Sequence, residues 1–539
     1  MKTCPRCNRV YHDETLRFCR NDGTQLLRTT SDDLPTGLLR PPASDSLQSP
    51  TRELRSSTSL SSPLRRPRTS RKAIDSLAVL PFTNAGAGPD MEYFSDGITE
   101  SIINALSRLP KLRVIARSIV FRYKGRDVDP LQAGDEMAVR AILTGRVRQT
   151  NDSLTIGTEL IDVANGAQLW GEHYNRKLAD VFEVQEEIAK VITERLRLKL
   201  AVKDKKQLVK RQTEDPEAYQ AYLKGRYYWD QRTKGGMARA IQYFQQAISI
   251  DPTYAVAYSG LADCFNALGW FRAAPAKEVF PKAKASAMKA LEIDDKLSEA
   301  HTSLAYETFL HEWDWKRSER EFKRAIKLNP RYSTARQWYS VYLWAMGRFD
   351  ESIEQSEKAV ELDPLSRANN LTLGMAFYFA RQFEQAAQQL KKTLEIEPRF
   401  FPARVSLSLA FEQLGKFEDA VTEAETARAT EDVPLVLAQL GGAYAMAGRR
   451  EEAFAIIETI KAQAKERYVS PFELATVYAD LEETDLALEW FEKALEERAS
   501  WMVFLKTTPK FDRLRATPGY QTLLDRIGFE GLVADSGGQ

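Results

Sequence analysis

Cysteine is scarce in this chain: four occur in 539 residues, and three of them fall within the first 19. That count fits a reducing compartment and metal better than a disulfide framework. Histidine is equally rare, with four in all (His12, His173, His301 and His311), and none adjoins a nucleophile motif such as G-x-S-x-G. Net charge is nearly absent, 76 basic against 75 acidic residues, so no global field points to nucleic acid or an acidic substrate. No apolar run approaches the ~18 residues of a membrane-spanning helix. No apolar stretch follows Lys2 as a signal peptide would require. Gly86-Ala87-Gly88 is followed by neither G-K-S/T nor the full dinucleotide spacing, so it reads as a strand-to-helix loop. A kinase signature set is also missing. The expectation is a cytoplasmic, non-enzymatic protein.

What is present falls into segments, because 539 residues exceed a single core. Residues 28–72 contain no aromatic residue and carry nine Lys/Arg against four Asp/Glu among many Ser, Thr and Pro. Such a stretch buries too little apolar surface to offset chain entropy, so it reads as a disordered basic linker.

Ahead of it, residues 1–27 carry CPRC and FCRND, with Cys4, Cys7 and Cys19 as three metal-type ligands. Asn8 follows the first pair and Gly23 follows Asp22, so the two turns match and Asp22 takes the place of a fourth cysteine. A carboxylate oxygen can bind zinc at ~2.0–2.2 Å. His12 is the rival fourth ligand, and a degenerate knuckle without metal is the third reading. The stretch resembles bacterial zinc ribbons of the form CPxC…FCxxDG, a resemblance that favours Asp22. A single structural zinc would supply folding energy that 27 residues cannot find in a core.

Residues 73–203 alternate strand and helix patterns. SLAVLPF and LRVIAR read as strands, FSDGITESIINALSRL as a helix with Ser95 as N-cap, and LQAGDEMAV as a short helix. Further strands run through AILTGRVRQTNDSLTIGTELIDVANGAQLWGEHY, and a helix over about 178–200 closes the unit. Residues 76–195 resemble the TolB-type N-terminal α/β domain, which in bacteria stands between an N-terminal module and a C-terminal repeat array.

From Asp215 the chain repeats itself. Pro330, Pro364 and Pro398 are spaced by 34, Gly347, Gly415 and Gly448 mark turns, and alanines recur at fixed offsets. The pattern resembles tetratricopeptide repeats, with about eight helix pairs over 214–499 and a capping segment over 500–530. Cys264 and His301 read as packing residues of their repeats. The expected fold is therefore multidomain: zinc knuckle, small α/β domain, then an all-α tetratricopeptide solenoid.

The repeat family holds an extended peptide or partner helix in a groove lined by first helices. Its offsets place Trp229, Tyr306, Phe309, Gln337, Trp344, Met375 and Tyr378 toward that groove; a one-residue slip would turn them into the core. The function expected from this is a protein-interaction scaffold in bacterial signalling or regulation. The alternative is a transcription-linked regulator contacting nucleic acid through the knuckle and basic linker.

Overall fold

The computed structural model describes three two-residue strands near the N-terminus and residues 74–529, apart from 86–91, 108, 110–111, 127, 151–152, 178–179, 197–212 and 232–233. The first strands, β1 (Lys2–Thr3), β2 (Val10–Tyr11) and β3 (Leu27–Arg28), pair antiparallel in the order β2-β1-β3. The candidate metal ligands Cys4, Cys7, His12, Cys19 and Asp22, and the linker beyond Arg28, lie outside the described residues.

The α/β domain comprises β4 (Ser76–Val79), β5 (Thr83–Asn84), α1 (Glu92–Ser107), β6 (Arg113–Val114), α2 (Arg117–Val120), α3 (Pro130–Glu136), β7 (Ala141–Thr150), β8 (Ser153–Asp162), β9 (Ala167–Lys177) and α4 (Val181–Arg195). Its sheet runs β6-β4-β7-β8-β9, with β5 beside β7. β4 is parallel to both neighbours and buried at every residue, which is why it reads as a continuous apolar run. β7, β8 and β9 form an antiparallel meander whose alternation turns Leu143, Val147, Ile156, Leu160, Trp170 and Tyr174 toward one core. α1 and α4 cover that face with Ile98, Ile102, Ile188 and Ile192. Ser95 is not the N-cap of α1. The helix starts at Glu92, extended by the buried Phe94, and the Ser95 hydroxyl donates to the Glu92 carbonyl at 3.1 Å.

Among the described residues eight helix pairs follow: α5/α6 (216–231, 234–250), α7/α8 (255–270, 276–293), α9/α10 (298–307, 315–328), α11/α12 (333–345, 349–362), α13/α14 (367–379, 383–396), α15/α16 (401–413, 417–430), α17/α18 (434–446, 450–463) and α19/α20 (471–480, 484–496). Ala240, Ala247, Ala325, Ala359, Ala386, Ala420, Ala453 and Ala487 are fully buried, where a larger side chain would hold the helices apart. The turns inside repeats 2 to 8 each place one residue in the left-handed region: Arg272, Trp313, Gly347, Arg381, Gly415, Gly448 and Glu482, at φ from 51° to 77°. Only three of the seven are glycine. In six of these turns a reverse hydrogen bond closes the first helix, as from Arg348 N to Leu343 O (3.0 Å) and Glu483 N to Tyr478 O (3.0 Å). Among the described residues no helix is long and apolar enough to cross a membrane.

Candidate functional site: the inner face of the repeat array

The array curls until its eighth repeat meets its second. Arg272, in the turn of repeat 2, pairs with Glu473 at the start of α19 (2.5 Å), and the Ser500 hydroxyl donates to the Gly269 carbonyl at 2.9 Å. Residues 498–529, ending in α21 (Pro518–Ile527), then run through the space the curl encloses.

Phe504 sits at the centre of this inner face. Its ring lies 5.8 Å from Phe309, 6.2 Å from Trp344, 5.7 Å from Phe379 and 6.0 Å from Trp270, rings supplied by repeats 2 to 5. Trp501 packs on Trp270 at 5.3 Å, and the Arg272 guanidinium lies 4.8 Å above Trp501. The segment is also fixed by polar contacts. Arg498 donates to the His311 carbonyl (2.6 Å), Tyr520 to the Leu505 carbonyl (2.9 Å) and Trp315 to the Gly528 carbonyl (3.0 Å).

Farther along, Lys510 enters a fully enclosed acidic site, 2.7 Å from Asp480 and 3.5 Å from Glu412. Gln439 donates to Glu412 at 2.6 Å. Burial pushes the Glu412 carboxyl up to about 7, Lys510 notwithstanding, and burial raises Asp480 as well. Burial opposes the charge of Lys510, yet the two carboxylates hold its ammonium above the ordinary lysine value. Two acids around one base leave one carboxyl in excess, so a proton is retained there.

This arrangement corrects the expectation of an open peptide groove. Phe309 and Trp344 do point inward, but Phe504 covers them. Tyr306 is stacked on Trp338 at 4.3 Å, and Tyr378 is fully buried against Phe379 and Phe383. Met375 is buried, and Gln337 bonds to Thr372 (3.1 Å) instead of facing a ligand. Trp229 lies in the core of the first repeat with Met237 and Phe244. For Phe309 and Trp344 the physical reason is occupancy, because the chain's own apolar segment WMVFL removes these rings from water, whereas Trp229 and Tyr378 are buried within their own repeats. Sequence reasoning missed Phe504, Trp501 and Lys510. Their signal was a dense apolar run outside the repeat spacing, too rich to be an end cap alone.

The α/β domain is clamped to the same array. Leu223 of α5 packs where a Cβ on Gly97 would stand, and Tyr219 bonds to Ser101 (2.7 Å) and Gln185 (2.8 Å). Arg117 reaches Glu100 (3.2 Å) and Asp230 (2.9 Å), and Arg226 also reaches Glu100 (3.2 Å). Ser118 bonds to Asp363, and Arg331 donates to the Leu112 carbonyl at 2.7 Å. The domain thus spans the array from repeat 1 to the repeat 4–5 junction. Among the described residues no three His, Cys, Asp or Glu side chains converge as a metal site would.

Comparison with known proteins agrees with the repeat geometry. Tetratricopeptide models match residues 314–367 and 371–434, and a second such model matches 221–254 and 472–500. Residues 72–191 match the model for the second domain of HilA/YgeH-like transcriptional regulators, so the TolB-type resemblance rests on its sequence stretches alone. A Rhizobium meliloti (strain 1021) protein named putative adenylate cyclase 3 is 35% identical over 244 residues, 44% of this chain and 41% of that protein. Transcriptional regulator HilA of Salmonella typhimurium is 22% identical over 311 residues, 57% of this chain and 54% of that protein. The chain therefore spans about half the length of these relatives, 41% and 54%. A thermophilic tetratricopeptide protein of Thermus thermophilus aligns at 21% identity and a TM-score of 0.29, over 37% of this chain and 99% of its own. The C-terminal part of this chain is a tetratricopeptide repeat array.

Proposed function

We propose that this chain is a non-enzymatic protein-interaction scaffold of a bacterial regulatory system, working in the cytoplasm. The observation that carries the reading is the closed array itself, a repeat solenoid locked to an α/β domain and filled by its own C-terminal segment. With the inner face occupied, a protein partner engages the outer helices. There Phe454 and Leu486, each 39% exposed, stand near the N-terminal ends of α18 and α20. Arg450 ties the start of α18 to the α19–α20 turn through the Leu481 carbonyl (2.7 Å) and Glu483 (2.8 Å). The regulatory context draws on the HilA/YgeH-like match of the α/β domain. Within it, a zinc ion held by Cys4, Cys7, Cys19 and either Asp22 or His12 would fold the N-terminal knuckle. The TolB-type resemblance would make the α/β domain a connector between that knuckle and the repeats. Affinity capture with the full chain tests the scaffold reading. A partner recovered by the native chain and lost from a folded Phe454→Glu/Leu486→Glu variant supports it; equal recovery by both overturns the outer-helix assignment.

A further inference from the structure

One face of the β7–β9 meander is left open. The alternation that sends Val147, Ile156 and Tyr174 into the core sends the intervening residues of β7, β8 and β9 to the opposite side. One row across this side is Arg146–Gly157–His173, and the next is Arg148–Thr155–Asn175. Lys177 ends the third row, and all of the basic side chains are exposed. Among the described residues no carboxylate pairs with Arg146, Arg148, His173 or Lys177, although the Lys177 backbone N–H donates to Asp180 at the margin. Glu159, one row before Arg146, is the single acid on the open rows. Glu172 belongs to the other face, where Trp170 donates to it at 3.2 Å.

The geometry points to this face as a docking surface for the phosphate backbone of a nucleic-acid duplex, read without regard to base sequence. Its chemistry is that of backbone contacts: guanidinium, ammonium and imidazole with hydroxyl and amide groups between them. Two arginines rooted two strand residues apart, about 7 Å, suit a polyanion with one charge per ~3.4 Å of axis on each strand. At the centre of the rows stands Gly157, whose added Cβ would meet only the His173 ring, at 3.5 Å. A glycine in place of a larger side chain lets a phosphodiester come close to the strand backbone beside the His173 ring. The open rows carry no exposed aromatic ring, as a single-strand platform would need for stacking. They also offer no exposed apolar anchor, which a protein interface needs at its centre. This surface is independent of the outer helices assigned to a protein partner.

The test is fluorescence anisotropy of a labelled 20-base-pair duplex with the full chain, titrated over a range of salt. Binding is expected, with log affinity falling linearly in log salt. The Arg146→Ala/Arg148→Ala variant is expected to lose about two phosphate contacts, a slope shallower by about 1.8. Gly157→Val, whose Cβ meets the exposed His173 ring only at ordinary contact distance and leaves the fold intact by circular dichroism, is expected to weaken binding as well. No binding by the native chain at low salt overturns the proposal. So does a native slope retained by both variants, which would assign the contact to the basic linker. Competition by poly-glutamate at least as strong as by unlabelled duplex would also overturn it, in favour of an acidic protein.

Discussion

Arg272 and Glu473 stand 201 residues apart in sequence and 2.5 Å apart in space, with side chains only 4% and 3% exposed. Their pair marks where the second repeat meets the eighth, and the ring of Trp501 lies against the guanidinium. Removing one partner strands a buried charge, so Arg272→Ala should destabilise the array by about 3–5 kcal/mol. Arg272→Met/Glu473→Leu should recover most of that loss. Chemical denaturation of the single and double variants checks the pair. Equal losses in both would place the cost in packing, not charge.

Phe504 should be the most costly ring to remove from the C-terminal segment. It is fully buried and touches rings from four repeats, so Phe504→Ala should cost about 3–5 kcal/mol. Trp344→Ala should also lower the melting temperature markedly, because the indole is interior. A thermal melt decides both: an unchanged midpoint for either variant would contradict a filled inner face.

Stability should depend on pH through Glu412. A carboxyl whose folded pKa lies above its unfolded value binds its proton more tightly when folded. Stability is then greatest below the ordinary value of 4.5 and declines as pH rises toward about 7. Glu412→Gln keeps the neutral shape and the hydrogen-bonding groups, so its melting temperature should vary less over about pH 5 to 8. Calorimetry across that range reads the difference. A native melting temperature that rises through the window, cancelled in the variant, would reverse the sign assigned to this site.

The turns offer a contrast between glycine and other residues. Gly415 sits at φ 69° and no atom approaches its added Cβ, so Gly415→Ala should cost about 1 kcal/mol, from the backbone alone. Glu482 occupies the equivalent place at φ 64° and its side chain is exposed, paired with Arg513. Glu482→Gly relieves the left-handed strain at the loss of a surface ion pair of small worth, so it should be neutral or stabilising. A lowered denaturation midpoint for Gly415→Ala and an unchanged or raised one for Glu482→Gly are the expected result.

The sequence by itself determined the local structure of the repeats. A 34-residue period, alanines at crossings and prolines after second helices encode each helix pair through contacts within and between neighbouring repeats. The meander of the α/β domain was legible for the same reason, since strand alternation is a local pattern. The turns were only partly legible: Gly347, Gly415 and Gly448 announced themselves, whereas Arg272, Trp313, Arg381 and Glu482 adopt the same backbone under tertiary constraint. What only the tertiary structure decided was the fate of the inner face. Small rotations per repeat add up until repeat 8 reaches repeat 2, and no single period records that sum. The curl makes an enclosure, and WMVFL fills it because apolar rings on both sides leave water together. Phe309 and Trp344 therefore lie on the wall that repeat spacing assigns them, while long-range packing turned that wall into a core.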